Sequence, residues 1–272
     1  MSHLLFEIGN GVATITLNRP ESKNAFSLSM IEQWIKALER VRDDDEIRVL
    51  VLTGAGKTFC AGGDIKAMKN GKGFIATSDD EEIDLISTGL KRKNVLWKLV
   101  QRIPLLMEEI DKPTIAAING DAIGAGLDMT LQCDLRFASE QARFGEGYIN
   151  VGLVPGDGGG YFLPRIIGKD KALELLWSGR IFGAEEAINL GLVTRVVSEV
   201  ELLDEVYRLA HRLANGPQQA IRLIKRTVNQ GLKTDLRTSL DMVSSFMGLV
   251  TEHPDFHEAL SAIFEKRKPN FE

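Results

Sequence analysis

The chain has 272 residues, of which 44% are hydrophobic and 26% are charged, and its formal net charge at pH 7 is −5. These values are typical of a soluble globular protein with one large domain, or with one domain and a smaller module. The negative charge disfavours nucleic-acid binding as the main function, and no window approaches the roughly 18 apolar residues of a membrane span.

The two cysteines point to a reducing compartment. Cys60 and Cys133 lie far apart and have neither metal-site nor disulfide-framework spacing, so we expect them to be buried thiols. The N-terminal stretch has no charged region ahead of its short apolar run, unlike a signal sequence. A cytoplasmic protein without a membrane partner is therefore expected.

Strand and helix patterns alternate through the first part of the chain. Asn10-Gly11 between two apolar runs is a strong hairpin signal, and Ser29 with Glu32 fits a capping box ahead of an amphipathic helix. The run at 49–52 predicts a strand that is buried on both faces. This succession predicts an α/β domain with βα repeats.

The rest of the chain continues this pattern and then becomes helical. The predicted segments are a small-residue loop at 53–65, a mobile insert at 70–84, a helical stretch at 85–110 interrupted near Pro104, strands at 114–118, 135–138 and 193–197, a glycine-rich segment at 145–160, and helices at 173–178 and 184–190. From residue 198 the period is almost entirely helical, with breaks at Gly216-Pro217, near Gly231 and at His253-Pro254. We therefore divide the chain into a core at 1–197 and a helical C-terminal region at 198–272, expected to cover the pocket or to pack on another subunit.

Two small-residue loops have a common design. One, at 120–126, leads from a strand into a helix through Gly124-Ala125-Gly126, and the other, at 60–64, follows an earlier strand. Loops at the carboxyl ends of neighbouring parallel strands lie side by side, and a helix N-terminus directs free N–H groups at an anion. One amide from each loop could hold a single oxygen as an oxyanion hole, although each loop alone also fits an ordinary tight turn.

Two nucleotide-binding motifs are incomplete. The segment Gly56-Lys57-Thr58 lacks the glycine that a P-loop needs five residues earlier, where the chain has Val51. The loop at 124–126 lacks the third glycine of a dinucleotide fingerprint, where the chain has Met129. A phosphate cradle is therefore not expected at either place.

An ordered set of segments carries a family resemblance that covers nearly the whole chain. The segments are NRPESKNAF, FCAGGDI, KPTIAAINGDAIGAGLD, CDLRFAS, GLVPGDGGGYFLPRIIG, FGAEEAINLGLVTRVV and AIFEKRKPNF. Together they resemble the crotonase (enoyl-CoA hydratase/isomerase) superfamily. The resemblance implies an α/β fold, a crotonase-like spiral of repeated ββα units with a helical C-terminal region, assembled as trimers or paired trimers. It also implies an enzyme that acts on an acyl-CoA thioester, with no metal and no cofactor except the coenzyme A of the substrate.

The resemblance also assigns the groups that hold the thioester. Matched position by position, the backbone N–H groups of Ala61 and Ala125 are implied to bind the thioester oxygen and to stabilise an enolate. The positions implied to contact substrate or coenzyme A are Lys23, Ala25, Ala61, Gly62, Gly63, Asp64, Ile65 and Lys266. For the two lysines, a solvated surface position is an open alternative.

The acid/base residues depart from the family pattern. Where hydratases of the family have two glutamates, this chain has Asp128 and Tyr148, and a tyrosine is not a carboxylate base. Glu146 would share the side of Tyr148 on an extended segment. Asp157 stands one position past the acid/base aspartate of dienoyl-CoA isomerases. We therefore take Asp128 and Asp157 as proton-transfer candidates and Tyr148 as a pocket wall or hydrogen-bond donor, and the partner of Asp128 stays open among the other three.

Several interpretations remain open at this point. The reaction could be hydration of an enoyl-CoA or migration of its double bond. It could also be another enolate reaction, such as dienoyl-CoA isomerisation, thioester hydrolysis, decarboxylation or carbon–carbon cleavage. Without the two glutamates, the chain could also be a CoA-binding homologue without turnover. Asp128 could simply stabilise a helix N-terminus, and Asp157 could bind its own turn.

Overall fold

The computed structural model describes residues 2–69 and 85–271, so the insert expected at 70–84 lies outside the described residues. The strands are β1 (Leu4–Gly9), β2 (Val12–Leu17), β3 (Val49–Gly54), β4 (Thr58–Cys60), β5 (Thr114–Ile118), β6 (Asp121–Ile123), β7 (Leu135–Ser139), β8 (Arg143–Gly145), β9 (Ile181–Gly183) and β10 (Arg195–Val197). The helices are α1 (Leu28–Asp43), α2 (Ile65–Lys69), α3 (Leu85–Val95), α4 (Arg102–Glu109), α5 (Ala125–Leu131), α6 (Gly159–Ile167), α7 (Lys169–Ser178), α8 (Ala184–Asn189), α9 (Leu202–Ala214), α10 (Gln218–Gly231), α11 (Leu236–Thr251) and α12 (Pro254–Glu265).

Consecutive strands are divided between two sheets. The larger sheet has the order β1-β2-β3-β5-β7-β10, and the smaller has the order β4-β6-β8-β9. The strand pairs β3/β4, β5/β6 and β7/β8 each contribute one strand to each sheet. Neighbours from β2 to β10 in the larger sheet are parallel, as are β4, β6 and β8 in the smaller one. The chain therefore advances as a spiral of repeated ββα units.

The central strands β3 and β5 of the larger sheet are buried on both faces, as predicted for residues 49–52. Along β3, Leu50 and Leu52 belong to the main core, which lies between the two sheets. Val49 and Val51 point to the opposite face, where they pack with residues of α9. Because side chains alternate along a strand, this uninterrupted apolar run serves both cores.

The predicted hairpin is confirmed, but the predicted cap of α1 is wrong. Strands β1 and β2 pair in antiparallel register around Asn10-Gly11, both of which have positive φ. The N-cap of α1 is Ser27, whose side chain accepts a hydrogen bond from the Met30 N–H group at 3.2 Å. The Ser29 hydroxyl instead accepts a hydrogen bond from the Gln33 side chain, one helical turn away. Ser27, two residues before Ser29, therefore supplies the side-chain cap at the start of α1.

The smaller sheet was not predicted, although it positions the loops of interest. Each of its strands has three residues, which is too short for alternation to distinguish a strand from a turn. The helical stretch at 85–110 was predicted with a break at Pro104. The break instead falls at a wide π-helical turn at Leu96–Val100, and Pro104 lies in the first turn of α4, where proline is tolerated.

The C-terminal region is helical from residue 199, with the predicted breaks before α10, α11 and α12. Helix α9 packs on the larger sheet, and α10 is fixed to the core by ion pairs from Arg222 to Asp111 and from Lys225 to Asp134, both at 2.8 Å. Helix α12 has α11 as its main packing partner. In the described part of the chain, none of the helices combines the length and apolar character needed to span a bilayer.

Candidate active site

The two small-residue loops lie side by side, as expected. They follow β4 and β6, which are parallel neighbours. A Cβ atom on Gly126 would lie 2.1 Å from the carbonyl oxygen of Cys60. A Cβ atom on Gly62 would lie 2.6 Å from the Ile123 oxygen and 3.2 Å from the Ala125 nitrogen. Both glycines are therefore needed for the loop backbones to approach this closely.

The amide groups of these loops differ in availability. The Ala61 N–H group donates to the Lys23 carbonyl at 2.9 Å, so it is already engaged. The N–H groups of Gly63 and Ala125 make no backbone hydrogen bond to any described residue. Ala125 is the first residue of α5, where an N–H group has no partner within the helix. The structure thus speaks against Ala61 as an oxyanion donor and leaves Gly63 and Ala125 available.

The hydrogen bond of the Ala61 N–H group results from the way the segment before α1 folds. Lys23 and Asn24 both have left-handed φ angles, near 52° and 54°. The buried Asn24 side chain donates to the carbonyl oxygens of Ala55 and Thr58 at 2.9 and 2.7 Å. These hydrogen bonds hold the Lys23 carbonyl oxygen within hydrogen-bonding distance of the Ala61 N–H group. No residue type in the loop signals which amide is used, so sequence reasoning missed it.

The other residues assigned to coenzyme A fall into two groups. Lys23, Ala25 and residues 61–65 converge at one corner, because Phe26 pairs with Gly63 in a short parallel bridge. In that corner Asp64 pairs with Arg19 at 3.3 Å and caps α2, and Ile65 is 61% exposed. Lys266 lies apart, exposed at the end of α12, and its side chain makes no hydrogen bond or ion pair with another described residue.

The acid/base candidates come together in one cluster. The Tyr148 hydroxyl lies 2.7 Å from Oδ2 of Asp128 and 2.9 Å from Oδ2 of Asp157. Asp128 is in the first turn of α5, Tyr148 on the 3₁₀ turn Gly147–Val151, and Asp157 in the turn before α6. The Asp157 carboxylate thus contacts Tyr148 rather than its own backbone. Tyr148 is a hydrogen-bonding group here, and its role in catalysis stays a prediction.

The second oxygen of each aspartate is buried and unpaired. Asp128 is fully buried and Asp157 is 2% exposed, and neither Oδ1 atom meets hydrogen-bond geometry with a described residue, although Glu146 and the Gly159 N–H group lie close enough to Asp128 to lower its pKa against the larger effect of burial. A buried polar atom without a partner is costly and calls for an explanation. These two oxygens are therefore the candidate atoms for proton exchange with a bound substrate.

Glu146 joins the cluster although its segment is not extended as predicted. It lies at the start of the 3₁₀ turn that carries Tyr148 and is fully buried. Its carboxyl oxygens lie near Asp128 but meet hydrogen-bond geometry with no described residue. Burial, and then the negative charge of Asp128, raise the pKa of Glu146 well above its ordinary value. The surroundings of Glu146 therefore favour its protonated form.

The two aspartates titrate near neutral pH. Burial, and then the charge of Asp157, raise the pKa of Asp128 to about 7. Burial raises the pKa of Asp157 to about 6, against the opposing effect of the hydrogen bond from Tyr148. Burial, and then the charges of the two aspartates, also raise the pKa of Tyr148, which keeps its proton. Such a pair can hold one acid and one base at the same time.

Gly159 fixes the position of the Asp128 carboxylate, so we expect Gly159→Ala to abolish most activity. A Cβ atom there would lie 2.1 Å from Oδ1 of Asp128, whose side chain is short and buried. Displacement of the carboxylate by about 1 Å is expected to lower kcat/KM by about 10²-fold. Gly160→Ala is the matched control, because its Cβ atom would meet open space. Equal steady-state rates for the two variants would contradict this role.

Comparison with known proteins matches this chain over nearly its full length. The family profile described as Enoyl-CoA hydratase/isomerase matches residues 7–272. Crotonyl-CoA hydratase from Syntrophomonas wolfei is 34% identical over 99% of this chain and 97% of the relative. The 1,2-epoxyphenylacetyl-CoA isomerase of Escherichia coli is 35% identical over 100% of this chain and 98% of the relative. The crystal structure of an enoyl-CoA hydratase from Bacillus anthracis superposes with a TM-score of 0.86 at 32% identity, covering 99% of this chain and 98% of that one.

Proposed function

Because the chain belongs to the enoyl-CoA hydratase/isomerase family, we propose that it moves the double bond of an enoyl-CoA thioester by proton transfer at Asp128 and Asp157. The family relationship inferred from the sequence is confirmed, as is the fold of ββα units. The observation that carries the proposal is the pair of buried, unpaired Oδ1 atoms on two aspartates that titrate near neutral pH. Hydrolysis and decarboxylation do not need such a pair, whereas in a double-bond shift it can remove a proton from one carbon and supply a proton to another.

The thioester oxygen is proposed to bind between the N–H groups of Gly63 and Ala125. Removal of a proton beside the thioester carbonyl places negative charge on this oxygen, and donors fixed in advance stabilise that charge. The N-terminus of α5 lies behind one of the two donors and adds its favourable dipole. This pair replaces the pair Ala61 and Ala125 expected from the sequence.

Two proton transfers then complete the reaction. Ionised Asp128 removes a proton from the carbon next to the carbonyl, the C–H electron pair enters the conjugated enolate, and the double bond shifts. Protonated Asp157 then donates its proton to the carbon two positions further along. Asp128 is assigned as the base by its position, because it lies one helical turn from Ala125 and therefore beside the bound carbonyl. Its pKa is the higher of the two, so the reactive form is the less populated of the two singly protonated forms of the pair. Atoms and charge balance without a resident cofactor, and coenzyme A enters with the substrate.

Hydration is the second candidate, because the two free Oδ1 atoms could instead hold a water molecule. Isomerisation is favoured because Tyr148, which is not a carboxylate base, stands where hydratases of the family have their second glutamate. The test is incubation with a 3-enoyl-CoA and with crotonyl-CoA, while the conjugated thioester absorbance is followed. Isomerisation predicts a gain with the first substrate, and hydration predicts a loss with the second. No change with either substrate, alongside CoA binding, would reject both reactions.

The pH dependence of kcat/KM should be bell-shaped with limbs near pH 6 and 7. Activity needs one ionised and one protonated aspartate, and the pKa values about 6 and about 7 belong to the pair. Below pH 6 both aspartates are protonated and no base remains, and above pH 7 both are ionised and no acid remains. Initial rates from pH 4.5 to 9 provide the check. A flat profile across pH 5 to 9 would contradict the paired assignment.

We also propose that the C-terminal helices assemble the chain into a trimer or a pair of trimers in the cytoplasm. Large apolar side chains are exposed on α10 to α12 and in their connections, including Leu232 and Phe264, each 83% exposed. Exposed apolar patches of this kind mark protein interfaces. Light scattering after size-exclusion chromatography should give three or six times the mass of the chain. A monomer at micromolar concentration would reject this assembly.

A further inference from the structure

The Tyr148 hydroxyl adds a second exchangeable proton to the cluster, besides the one that the two aspartates use in the acid/base step. The Tyr148 hydroxyl lies within hydrogen-bonding distance of both Oδ2 atoms, at 2.7 and 2.9 Å. A hydroxyl group has a single hydrogen, so it donates to only one of them. The other contact is a hydrogen bond only if that carboxyl group is protonated and donates to the phenolic oxygen. With one aspartate neutral and one ionised, both contacts are hydrogen bonds, and Tyr148 joins the two carboxyl groups.

This arrangement bears on what happens after each turnover. By the proposed function, on which the present inference rests, Asp128 ends protonated and Asp157 ends ionised. That state is the reverse of the starting one and can catalyse only the backward reaction. Both aspartates are buried, at 0% and 2% exposure, so direct proton exchange with water is hindered. An internal route for the proton would remove this delay.

We propose that Tyr148 is a proton relay that resets the aspartate pair between turnovers. A half-turn of the Asp128 carboxyl group about its Cβ–Cγ bond presents the acquired proton to Tyr148. The Asp128 O–H bond breaks as this proton joins the phenolic oxygen, and the phenolic proton moves to Oδ2 of Asp157. A similar half-turn of Asp157 returns its proton to the substrate side. Tyr148 begins and ends protonated, and one proton has moved from Asp128 to Asp157.

The remaining groups of the cluster do not offer this route. Glu146 lies close enough to Asp128 to interact with it, but it makes no hydrogen bond to Asp157 and so does not join the two aspartates. The thiol of Cys60 donates to the carbonyl of Asn24 at 3.0 Å and so points away from the pair. Among the described residues, Tyr148 is thus the one whose side chain is within hydrogen-bonding distance of both aspartates.

The test is the pattern of product inhibition in Tyr148→Phe. Without a relay, the free enzyme must exchange protons with solvent between turnovers, so product inhibition should change from competitive in the unaltered enzyme to noncompetitive in the variant. We expect kcat to fall by about 10²-fold, the lower end of the contribution of a positioned proton-transfer group. Added imidazole buffer should then raise the kcat of the variant but not that of the unaltered enzyme. Tyr207→Phe removes a hydrogen-bonded hydroxyl on α9 and is the matched control, with competitive inhibition expected.

The outcomes separate the relay from the proposed function. If the unaltered enzyme isomerises no 3-enoyl-CoA, the proposed function fails. If it does, and Tyr148→Phe keeps competitive inhibition without a buffer effect, Tyr148 only positions the aspartates and the relay is rejected. If the variant does not fold, the unaltered enzyme is given a C2-deuterated 3-enoyl-CoA mixed with an unlabelled one of another chain length. Deuterium at C4 of the second product supports the relay, and its absence overturns it.

Discussion

Asp128→Asn is expected to lower kcat/KM for isomerisation by about 10²–10⁴-fold, the contribution of a positioned general base. The amide keeps the size of the side chain but cannot accept a proton from carbon. The residue is fully buried, in contact with Tyr148 and beside Gly159, so solvent cannot substitute for it readily. Steady-state rates with a 3-enoyl-CoA provide the measurement.

The same substitution should not destabilise the protein at alkaline pH. Burial raises the pKa of Asp128 in the folded state to about 7, above its unfolded value near 4, so ionisation opposes folding. Stability from the protonated form is fully present below pH 4 and is lost as pH rises through 7. At pH 8 the Asp128→Asn variant should therefore have a Tm equal to or above that of the unaltered enzyme.

Asp45→Asn is the matched control for this variant, because Asp45 is exposed and its ion pair with Arg222 lies at the surface. It should change neither the rate nor its pH profile. A fully active Asp128→Asn variant would refute the assignment of the base while leaving the family membership intact. A loss of activity that follows a loss of folded protein would instead indicate a structural role.

Ala125→Pro is expected to lower kcat/KM by about 10²–10³-fold, because it removes one of the two proposed oxyanion donors. Proline at the first position of a helix fits the backbone there and eliminates an N–H group that has no partner in the helix. The effect should fall on kcat, since the donors act on charge that develops in the transition state.

Ala125→Gly provides the comparison for this substitution. It keeps the N–H group and removes only Cβ, so its loss of activity should be far smaller than that of the proline variant. Circular dichroism and thermal unfolding establish that both variants are folded. Equal activity of the two variants would show that the Ala125 amide does not bind the thioester oxygen.

Local signals explain what could be predicted about the fold. The hairpin at Asn10-Gly11 and the breaks before α10 and α12 depend on residues next to one another, where glycine and proline act directly on the backbone. The run at 49–52 is apolar throughout because both faces of β3 are buried. The three-residue strands of the smaller sheet carry no such signal, because their conformation depends on neighbours far away in the chain.

The candidate site also has features that residue types predict and features that depend on the folded chain. Residue types in a fixed order were enough to identify the family, to pair the loops at 60–64 and 120–126, and to name Asp128 and Asp157 as candidates for proton transfer. The engagement of the Ala61 amide and the contact of Tyr148 with both aspartates emerged only from the folded chain. Backbone N–H groups are chemically alike in every residue except proline, and hydrogen bonds between residues 9 and 20 positions apart depend on how the turns fold. Neither property is encoded in residue type, so each appears only once the turns have placed these groups together.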